Sequence, residues 1–217
     1  MVVLAIDTAG PVVGVGLWAR DRATERTERV RRGAEGRLVP WALELIEERG
    51  LKMADVQGVA VCKGPGAFTG IRVGMAAGAG LAHGLGVPLW SAMSLSTRAW
   101  RVGGPVLSVL DARKGRVYAA LFDGDGEVVR GPGDVDPDVA ISWGHPRLAA
   151  TGEGAIVFRE KFEAAGLIVV EDAENPAVMA LAERGAAALR RGEGVDPVTV
   201  EPLYLREPDA KPPKTGV

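Results

Sequence analysis

Two stretches of the sequence resemble each other and decide the fold. Residues 2–21 read "VVLAIDTAGPVVGVGLWARD", and residues 106–125 read "VLSVLDARKGRVYAALFDGD". Each begins with an apolar run that ends in an aspartate, and Asp7 aligns with Asp111. Turn-forming residues and a second run rich in β-branched or aromatic side chains follow, which is the pattern of a β-hairpin. Similarity between the two halves predicts two related domains, each opening with a hairpin.

The composition bounds the class of protein. The chain has 217 residues, of which 47% are hydrophobic, and its formal net charge is −2. That length suits one large or two small domains, and the charge provides no basic field for nucleic acid. The single cysteine excludes an intramolecular disulfide and indicates a reducing compartment. Because the start lacks a basic signal-peptide region and no apolar run is long enough to span a membrane, we expect a cytoplasmic protein without membrane contact.

Alternating helix and strand patterns separate the two hairpins. Residues 36–50, "GRLVPWALELIEERG", carry apolar residues at helical spacing, with Pro40 suited to the first turn and Gly50 to the stop. Val39 and Leu43 add a second apolar ridge. A helix on one sheet needs only one apolar stripe, so the second ridge indicates another neighbour. Both another subunit and another element of the same chain fit this pattern.

Gly103, Gly104 and Pro105 mark a domain boundary. We expect an N-terminal domain at 1–103, a smaller C-terminal domain at 104–206 and a flexible tail at 207–217. Within the second half, the sequence predicts a loop at 131–138, a strand entering a turn within 147–155, a strand at 166–172, a helix capped by Asn175 that ends at 190–192, and a short strand at 200–208. Strand pairs followed by strand–helix units indicate a mixed α/β fold.

A glycine-rich stretch, "KGPGAFTGIRVGMAAGAGLAHGLG" at 63–86, follows the predicted strand Val59–Cys62. Its spacing matches neither a P-loop nor a dinucleotide-binding loop. Backbone amides at 66–70 would form only a weak anion site, with Thr69 as candidate helix cap. The spacing therefore gives little support for a nucleotide loop.

The same stretch predicts a helix whose glycines align. Gly70, Gly74 and Gly78 share one ridge, and an adjacent ridge carries Ala76, Gly80 and Gly84. Each glycine inside a helix costs up to about 1 kcal/mol relative to alanine, so close approach of a neighbouring backbone must offset the cost. The chain's own sheet and another subunit's helix are both candidates for that neighbour, and we favour the latter. Arg72 opposes the helix dipole and is expected to contact an acidic group across an interface.

Residues with catalytic or metal-binding chemistry are scarce. The two histidines, His83 and His145, lie far apart, and no paired metal-ligand motif or serine nucleophile elbow is present. We expect both histidines to be structural. A peptidase, one alternative function, is disfavoured for the same reason.

Several motifs together resemble one family. They are "AIDTA" with "GVGLW", "GPGAFTGIRVG", "VPLWSAMSLS", "VLDARKGRVYAALF" and "PLYLR", in this order between residues 2 and 206. They are similar to the TsaB (YeaZ) family, the accessory subunits in bacterial synthesis of N6-threonylcarbamoyladenosine on tRNA. The resemblance implies an α/β actin-like ATPase fold of two duplicated domains, the second reduced.

The resemblance also implies partners. TsaB-like chains form a heterodimer with the catalytic paralogue TsaD, are joined by the ATPase TsaE, and are expected to meet tRNA only through the complex. A homodimer is expected when the chain is alone. In the family, the helices after the "LVP" and "GPGAFTG" positions meet the partner. The residues predicted to bind the partner are Leu38, Trp41, Leu45, Phe68, Gly70, Arg72, Gly74, Met75 and Gly78.

A vestigial nucleotide region is expected at Asp7, Thr8, Asp111 and Gly152. In this chain Ala9 stands where active members of the fold have the glycine of a D-x-G-[ST] motif, so independent nucleotide hydrolysis is not expected. No catalytic residue, metal or cofactor is predicted, except ATP or ADP in the complex with the partner. The alternative is an ATP-dependent, kinase-like enzyme for a small molecule, with Asp7 and Asp111 as its carboxylates.

Overall fold

The computed structural model describes residues 1–30, 33–171 and 174–206, which form two five-stranded β-sheets and seven α-helices. The strands of the first sheet are β1 (Val3–Asp7), β2 (Val12–Ala19), β3 (Arg22–Arg29), β4 (Gly58–Cys62) and β5 (Leu89–Ala92). Those of the second are β6 (Val106–Arg113), β7 (Arg116–Phe122), β8 (Val128–Val135), β9 (Ala149–Thr151) and β10 (Ile168–Val169). The helices are α1 (Glu35–Glu48), α2 (Phe68–Leu85), α3 (Ser94–Val102), α4 (Pro137–Ile141), α5 (Glu153–Val157), α6 (Arg159–Ala164) and α7 (Val178–Arg190). Within the described ranges, none of the helices combines the length and apolar character of a membrane span.

The two sheets repeat one arrangement. In the first, β1 is central, paired with antiparallel β2 on one side and parallel β4 on the other. In the second, β6 takes the same place between antiparallel β7 and parallel β9. Both predicted hairpins are therefore confirmed, as is the mixed α/β fold with two related halves.

The first sheet is covered on both faces. Helices α1 and α2 pack on one face, where Leu38, Leu45 and Ile71 bury against β1, β2 and β4. Helix α7 packs on the other face through Leu181 and Ala182. All residues of β1 and β4 are therefore buried, because both faces of these strands lie against helices.

Two helices each pack on the sheet formed by the other half of the chain. Helix α3 precedes the predicted boundary at residue 103 but packs on the second sheet through Leu95 and Ala99, while α4, α5 and α6 contribute to the core on its opposite face. Helix α7 comes from the second half and packs on the first sheet. The division at 103 and 104 stays a prediction, and the tail at 207–217 lies outside the described residues. The packing joins the two halves through these exchanged helices.

Two predictions about the second half are wrong. The loop expected at 131–138 contains the end of strand β8, which runs through Pro132. Proline is tolerated there because β8 is an edge strand, where an outward backbone position needs no N–H donor. Conversely, the strand expected at 200–208 is not formed at 200–206. One backbone hydrogen bond, from the Leu203 N–H to Lys63 O at 2.6 Å, joins that segment to the end of β4.

The predicted helices are confirmed, but their starting residues differ. Helix α1 begins at Glu35, so Pro40 lies in its second turn. Helix α2 begins at Phe68 after the extended Ala67, so Thr69 is inside the helix and is not its cap. The backbone of Ala177 is not helical, and α7 therefore starts at Val178 without the Asn175 cap.

Candidate functional site

A cleft of about 960 Å³ lies between residues of the two halves. Its lining includes Thr8 and Gly10 from the first hairpin, Asp111 and Glu153 from the second half, and Tyr204 near the end of the described chain. Strand β1 ends in Asp7 and β6 has Asp111 near its end, and both strands lead to this region, as the alignment of the two aspartates in sequence predicts. The cleft is thus where the predicted nucleotide region would bind its ligand.

Asp7 is buried beneath the cleft and its carboxylate is fully engaged. One oxygen, Oδ1, accepts the Ala9 N–H at 2.9 Å. The other, Oδ2, accepts from Thr97 Oγ1 at 3.2 Å and Cys62 Sγ at 3.1 Å, and it pairs with the guanidinium of Arg98. Asp7 is only 1% exposed, so its carboxylate is committed to the interior of the protein.

Arg98 supplies the counter-charge of Asp7 from helix α3. Its side chain is completely buried, and Nη1 also donates to Thr97 Oγ1 at 2.9 Å. Burial alone would lower the pKa of Arg98, but the carboxylates of Asp7 and Glu153 outweigh burial and hold that pKa above its usual range. The guanidinium is therefore a permanent positive charge under the cleft.

Glu153 contributes a second buried carboxyl from the start of α5. It is 8% exposed, and burial raises its pKa to about 7, although the nearby Arg98 opposes that rise. Its Oε2 accepts no hydrogen bond from the described residues. A Cβ at Gly10 would lie 3.1 Å from Arg98 Nη2 and 3.5 Å from Glu153 Oε2. The missing side chain at position 10 leaves room for both groups.

The four residues of the predicted nucleotide region have different surroundings. Thr8 and Asp111 line the cleft, but Thr8 Oγ1 donates to Gly70 O at 2.6 Å, and Asp111 pairs with Arg113 at 3.0 Å. A Cβ at Gly152 would overlap the backbone of β6, so this glycine serves close packing. With Asp7 buried, the region offers no unpaired aspartate to the cleft among the described residues.

The first glycine ridge of α2 faces the protein's own first sheet. A Cβ at Gly70 would overlap the carbonyl oxygen of Thr8, one at Gly74 would overlap the Thr8 hydroxyl, and one at Gly78 would overlap Val61. The expectation that this ridge is free to meet another subunit is therefore wrong. Of the two neighbours left open by the sequence, the chain's own sheet is the one that the ridge contacts.

Other residues predicted to bind the partner are also interior. Leu38 and Leu45 are completely buried and Met75 is 6% exposed, all within the core under α1 and α2. Their apolar spacing arises because they pack on the chain's own sheet. Their predicted role as partner-binding surface residues is therefore corrected. Trp41 and Phe68 are partly buried, and Arg72 is exposed. For these three, partner binding stays a prediction.

The outward sides of α1 and α2 form a different surface. Val39 and Leu43 are 41% and 49% exposed on α1. On α2 the exposed positions include Ala76, Gly80 and Gly84, and a Cβ at either of these glycines would meet no atom within 4 Å. We name these five residues the α1–α2 surface. The second apolar ridge of α1 is thus exposed, as is the second small-residue ridge of α2.

This chain is similar to several known proteins in sequence and in structure. A family model described as "TsaD: tRNA N6-adenosine threonylcarbamoyltransferase" matches residues 28–146. An uncharacterized protein of Mycobacterium tuberculosis is 37% identical over 97% of this chain and 94% of its own length. The Escherichia coli tRNA threonylcarbamoyladenosine biosynthesis protein TsaB is 29% identical over 95% of each. The structure titled YeaZ from Pseudomonas aeruginosa aligns with a TM-score of 0.82 at 28% identity, covering 94% of this chain and 99% of that one.

The chain belongs to the TsaB/YeaZ family. The fold of this TsaB/YeaZ chain is accordingly the actin-like ATPase fold predicted from the sequence. The activator of 2-hydroxyisocaproyl-CoA dehydratase from Clostridium difficile, solved with bound ADPNP, shares that fold with a TM-score of 0.52 at 10% identity. At such low identity the likeness concerns the fold alone.

Sequence reasoning missed Arg98 and Glu153 of this TsaB/YeaZ chain. Arg98 stands in "SLSTRAW", where a charged residue in a helix is expected to be exposed. The local sequence of α3 carries no signal that this arginine is buried. Glu153 lies in "TGEG", which sequence reasoning associated only with a loosely matching nucleotide loop.

Proposed function

We propose that this TsaB/YeaZ chain is a non-catalytic accessory subunit in N6-threonylcarbamoyladenosine synthesis, supporting a TsaD-type transferase that it binds through the α1–α2 surface. The names of the Escherichia coli and Bacillus subtilis relatives support the pathway. The observation that carries the mode of action is the exposed aliphatic pair Val39 and Leu43 on α1, a helix that packs against α2.

Helix energetics support binding at this surface. Gly80 and Gly84 each cost the helix about 1 kcal/mol relative to alanine, and the described residues provide no close contact that would require glycine. A partner helix could approach such a ridge closely, and the aliphatic side chains of α1 would be buried at the same time. The same surface would serve a homodimer when no TsaD-type partner is present.

The state of Asp7 supports a non-catalytic role. A carboxylate that holds a metal or acts as a general base in phosphoryl transfer must present a free oxygen to the reactants. Both oxygens of Asp7 are occupied by interior donors, and Arg98 provides its charge partner. In this proposal the chain has no nucleotide chemistry of its own, acts in the cytoplasm, binds ATP or ADP only in the complex, and contacts TsaE and tRNA as part of that complex.

The test is complex formation with the cognate TsaD-type enzyme, measured by gel filtration of the purified proteins. Wild-type chain should co-elute with the enzyme, and Ala76→Leu should not, because bulk on the ridge separates the helices. Ala164→Leu is the matched control, since Ala164 is an exposed helical alanine on α6. Absence of a wild-type complex between folded proteins would contradict the proposal.

Reconstitution of the tRNA modification tests the role itself. With the transferase and its substrates present, omission of the chain should abolish or strongly reduce N6-threonylcarbamoyladenosine, and addition of Ala164→Leu should restore it. Equal modification without the chain would exclude an accessory role.

The kinase-like alternative has one favourable observation, because the cleft of about 960 Å³ is large enough for a nucleotide. Titration of the isolated chain with Mg-ATP in a calorimeter distinguishes the two functions. The accessory role predicts no tight binding and no turnover. Tight binding of Mg-ATP, or its turnover, would favour the kinase-like enzyme.

A further inference from the structure

The side chain of Arg72, near the start of α2, is held in one orientation by two aromatic rings. Its guanidinium carbon lies 3.9 Å from the centroid of the Phe68 ring. Its Nε donates to the hydroxyl of Tyr204 at 2.9 Å. Phe68 and Tyr204 stack on each other with ring centroids 5.0 Å apart. The contacts with Phe68 and Tyr204 thus fix the position of the Arg72 side chain although it is exposed.

Tyr204 is in turn fixed by its neighbours in the segment 200–206. The Leu203 N–H donates to the carbonyl oxygen of Lys63, the first residue of the glycine-rich stretch, at 2.6 Å. Two residues after Tyr204, Arg206 donates from Nη1 to Ala112 O at 3.0 Å, and its Nε lies 3.2 Å from Asp134. The ring that holds Arg72 is therefore tied to both halves of the protein.

The charge of Arg72 has no acidic partner among the residues the structure describes. Other exposed arginines of the first half behave differently, since Arg26 pairs with Glu48 and Arg37 with Glu28 at 2.8 Å. Helix stability does not explain this cation either, because Arg72 is the fifth residue of α2 and the N-terminal end of a helix dipole does not favour positive charge. With Nε used by Tyr204, both terminal amino groups remain available to a ligand with two acceptor atoms.

We propose that Arg72 is an anchor for a carboxylate side chain of the partner protein and that Tyr204 is the residue that positions it. This inference rests on the proposed function. A guanidinium fork matches a carboxylate in a two-point contact. Holding the side chain before binding reduces the conformational entropy that association would otherwise remove. Arginine and aromatic residues are also the side chains on which interface affinity most often depends.

The experiment measures the Kd for the cognate TsaD-type enzyme by calorimetry. Arg72→Ala should weaken binding by about 10- to 100-fold, in the range of interface anchors. Tyr204→Phe keeps the ring and removes the hydroxyl, and should weaken binding by about 3- to 10-fold, as expected for one hydrogen bond. The double variant should bind as Arg72→Ala does, because Tyr204 acts through Arg72. Arg22→Ala, at an exposed position on β3, is the control and should bind normally.

Salt dependence separates this role from a merely structural one. Wild-type affinity should fall as NaCl rises, because salt screens the ion pair, and the Arg72→Ala dependence should be flatter. Near-ultraviolet circular dichroism checks that each variant is folded. Normal affinity of Arg72→Ala overturns the inference and leaves the proposed function intact, whereas failure of the wild type to form any complex contradicts both. Additive losses in the double variant would exclude Tyr204 as the positioning residue.

Discussion

Among single residues, Arg98 and Asp7 carry the largest electrostatic consequence. Both side chains are completely buried, and each depends on the other for its charge balance. Removing two charges from water is costly, so such a pair adds little net stability compared with apolar residues. Removing only one member leaves an uncompensated charge in the interior. The pair therefore makes the protein sensitive to single substitutions and tolerant of a paired one.

Arg98→Met should lower the free energy of unfolding by about 3–5 kcal/mol, the usual cost of breaking a buried pair. Asp7→Asn combined with Arg98→Met should recover part of that loss, because no charge is then stranded. Urea unfolding at neutral pH measures both values. A single variant within experimental error of wild type would contradict the importance of the pair.

Glu153 predicts a pH-dependent stability. Its pKa is about 7 in the folded protein and 4.5 as the reference value, so the folded state holds the proton more tightly. The stability from this group is complete below pH 4.5 and is lost as the pH rises through 7. At one pKa unit per 1.4 kcal/mol, Glu153→Gln should exceed wild type by up to about 3 kcal/mol at pH 8.

The measurement is urea unfolding of wild type and Glu153→Gln at pH 5 and pH 8. The difference between them should shrink at the lower pH. Glu160→Gln, at an exposed position on α6, should show no comparable pH dependence. A stability difference that is equal at both pH values would mean that ionisation of Glu153 is not its cause.

Helix α2 has two glycine ridges with opposite demands on side-chain size. Gly70 faces the Thr8 backbone, which cannot move without disturbing the first hairpin. Gly80 faces outward and meets no atom within 4 Å. Glycine is therefore required by the fold on one side of this helix and is unfavourable to it on the other.

Gly70→Ala and Gly80→Ala are expected to change stability in opposite directions. The first should destabilise the protein by several kcal/mol through overlap with the backbone, in the upper range of single substitutions. The second should stabilise the isolated chain by up to about 1 kcal/mol, because alanine is the better helix former. Thermal unfolding of the isolated chain provides the comparison. Similar effects at both positions would contradict the assignment of the two ridges.

Local patterns were sufficient to predict α1, α2 and the paired hairpins, because their apolar residues recur at helical or strand spacing. They could not decide which side of α2 faces the sheet. Both ridges consist of glycine and alanine, so the pattern contains no contrast between interior and surface. Strand β8 was missed for a related reason, since Gly131 and Pro132 resemble a loop and form a strand only by pairing with β7.

The interior of the cleft depends on residues far apart in the chain. Asp7 was identified because it ends an apolar strand, but its partner Arg98 lies 91 residues later. No local property of α3 reveals that its arginine points inward. Glu153 joins this group from the second half of the chain. Long-range packing therefore determines the site, while the sequence alone indicates where its strands end.

Taken as a whole, the molecule is tied together by exchanged helices and by the segment 200–206. A chain that ends after Thr199 loses the contacts of Leu203, Tyr204 and Arg206. Its free energy of unfolding should fall by on the order of 2–4 kcal/mol, the sum expected for a few hydrogen bonds and a ring contact. Hydrogen exchange should also become faster at the first turn of α2.

A chain that ends after Arg206 is the matched comparison and should be more stable than the chain that ends after Thr199, because it keeps every contact of the segment described above. Denaturant unfolding and hydrogen exchange compare the two truncations. Equal behaviour of both would mean that the segment does not support α2.

The exchange of α3 and α7 also sets an order for folding during synthesis. The face of the first sheet that contains Val3, Ala5 and Ala60 is covered by α7, whose last residue is Arg190. Although the strands of that sheet are all translated by Ala92, their second face has no cover until α7 leaves the ribosome. Nearly the whole chain must emerge before the first half can close its core. Folding is thus completed after most of the chain has been synthesised, instead of one half at a time.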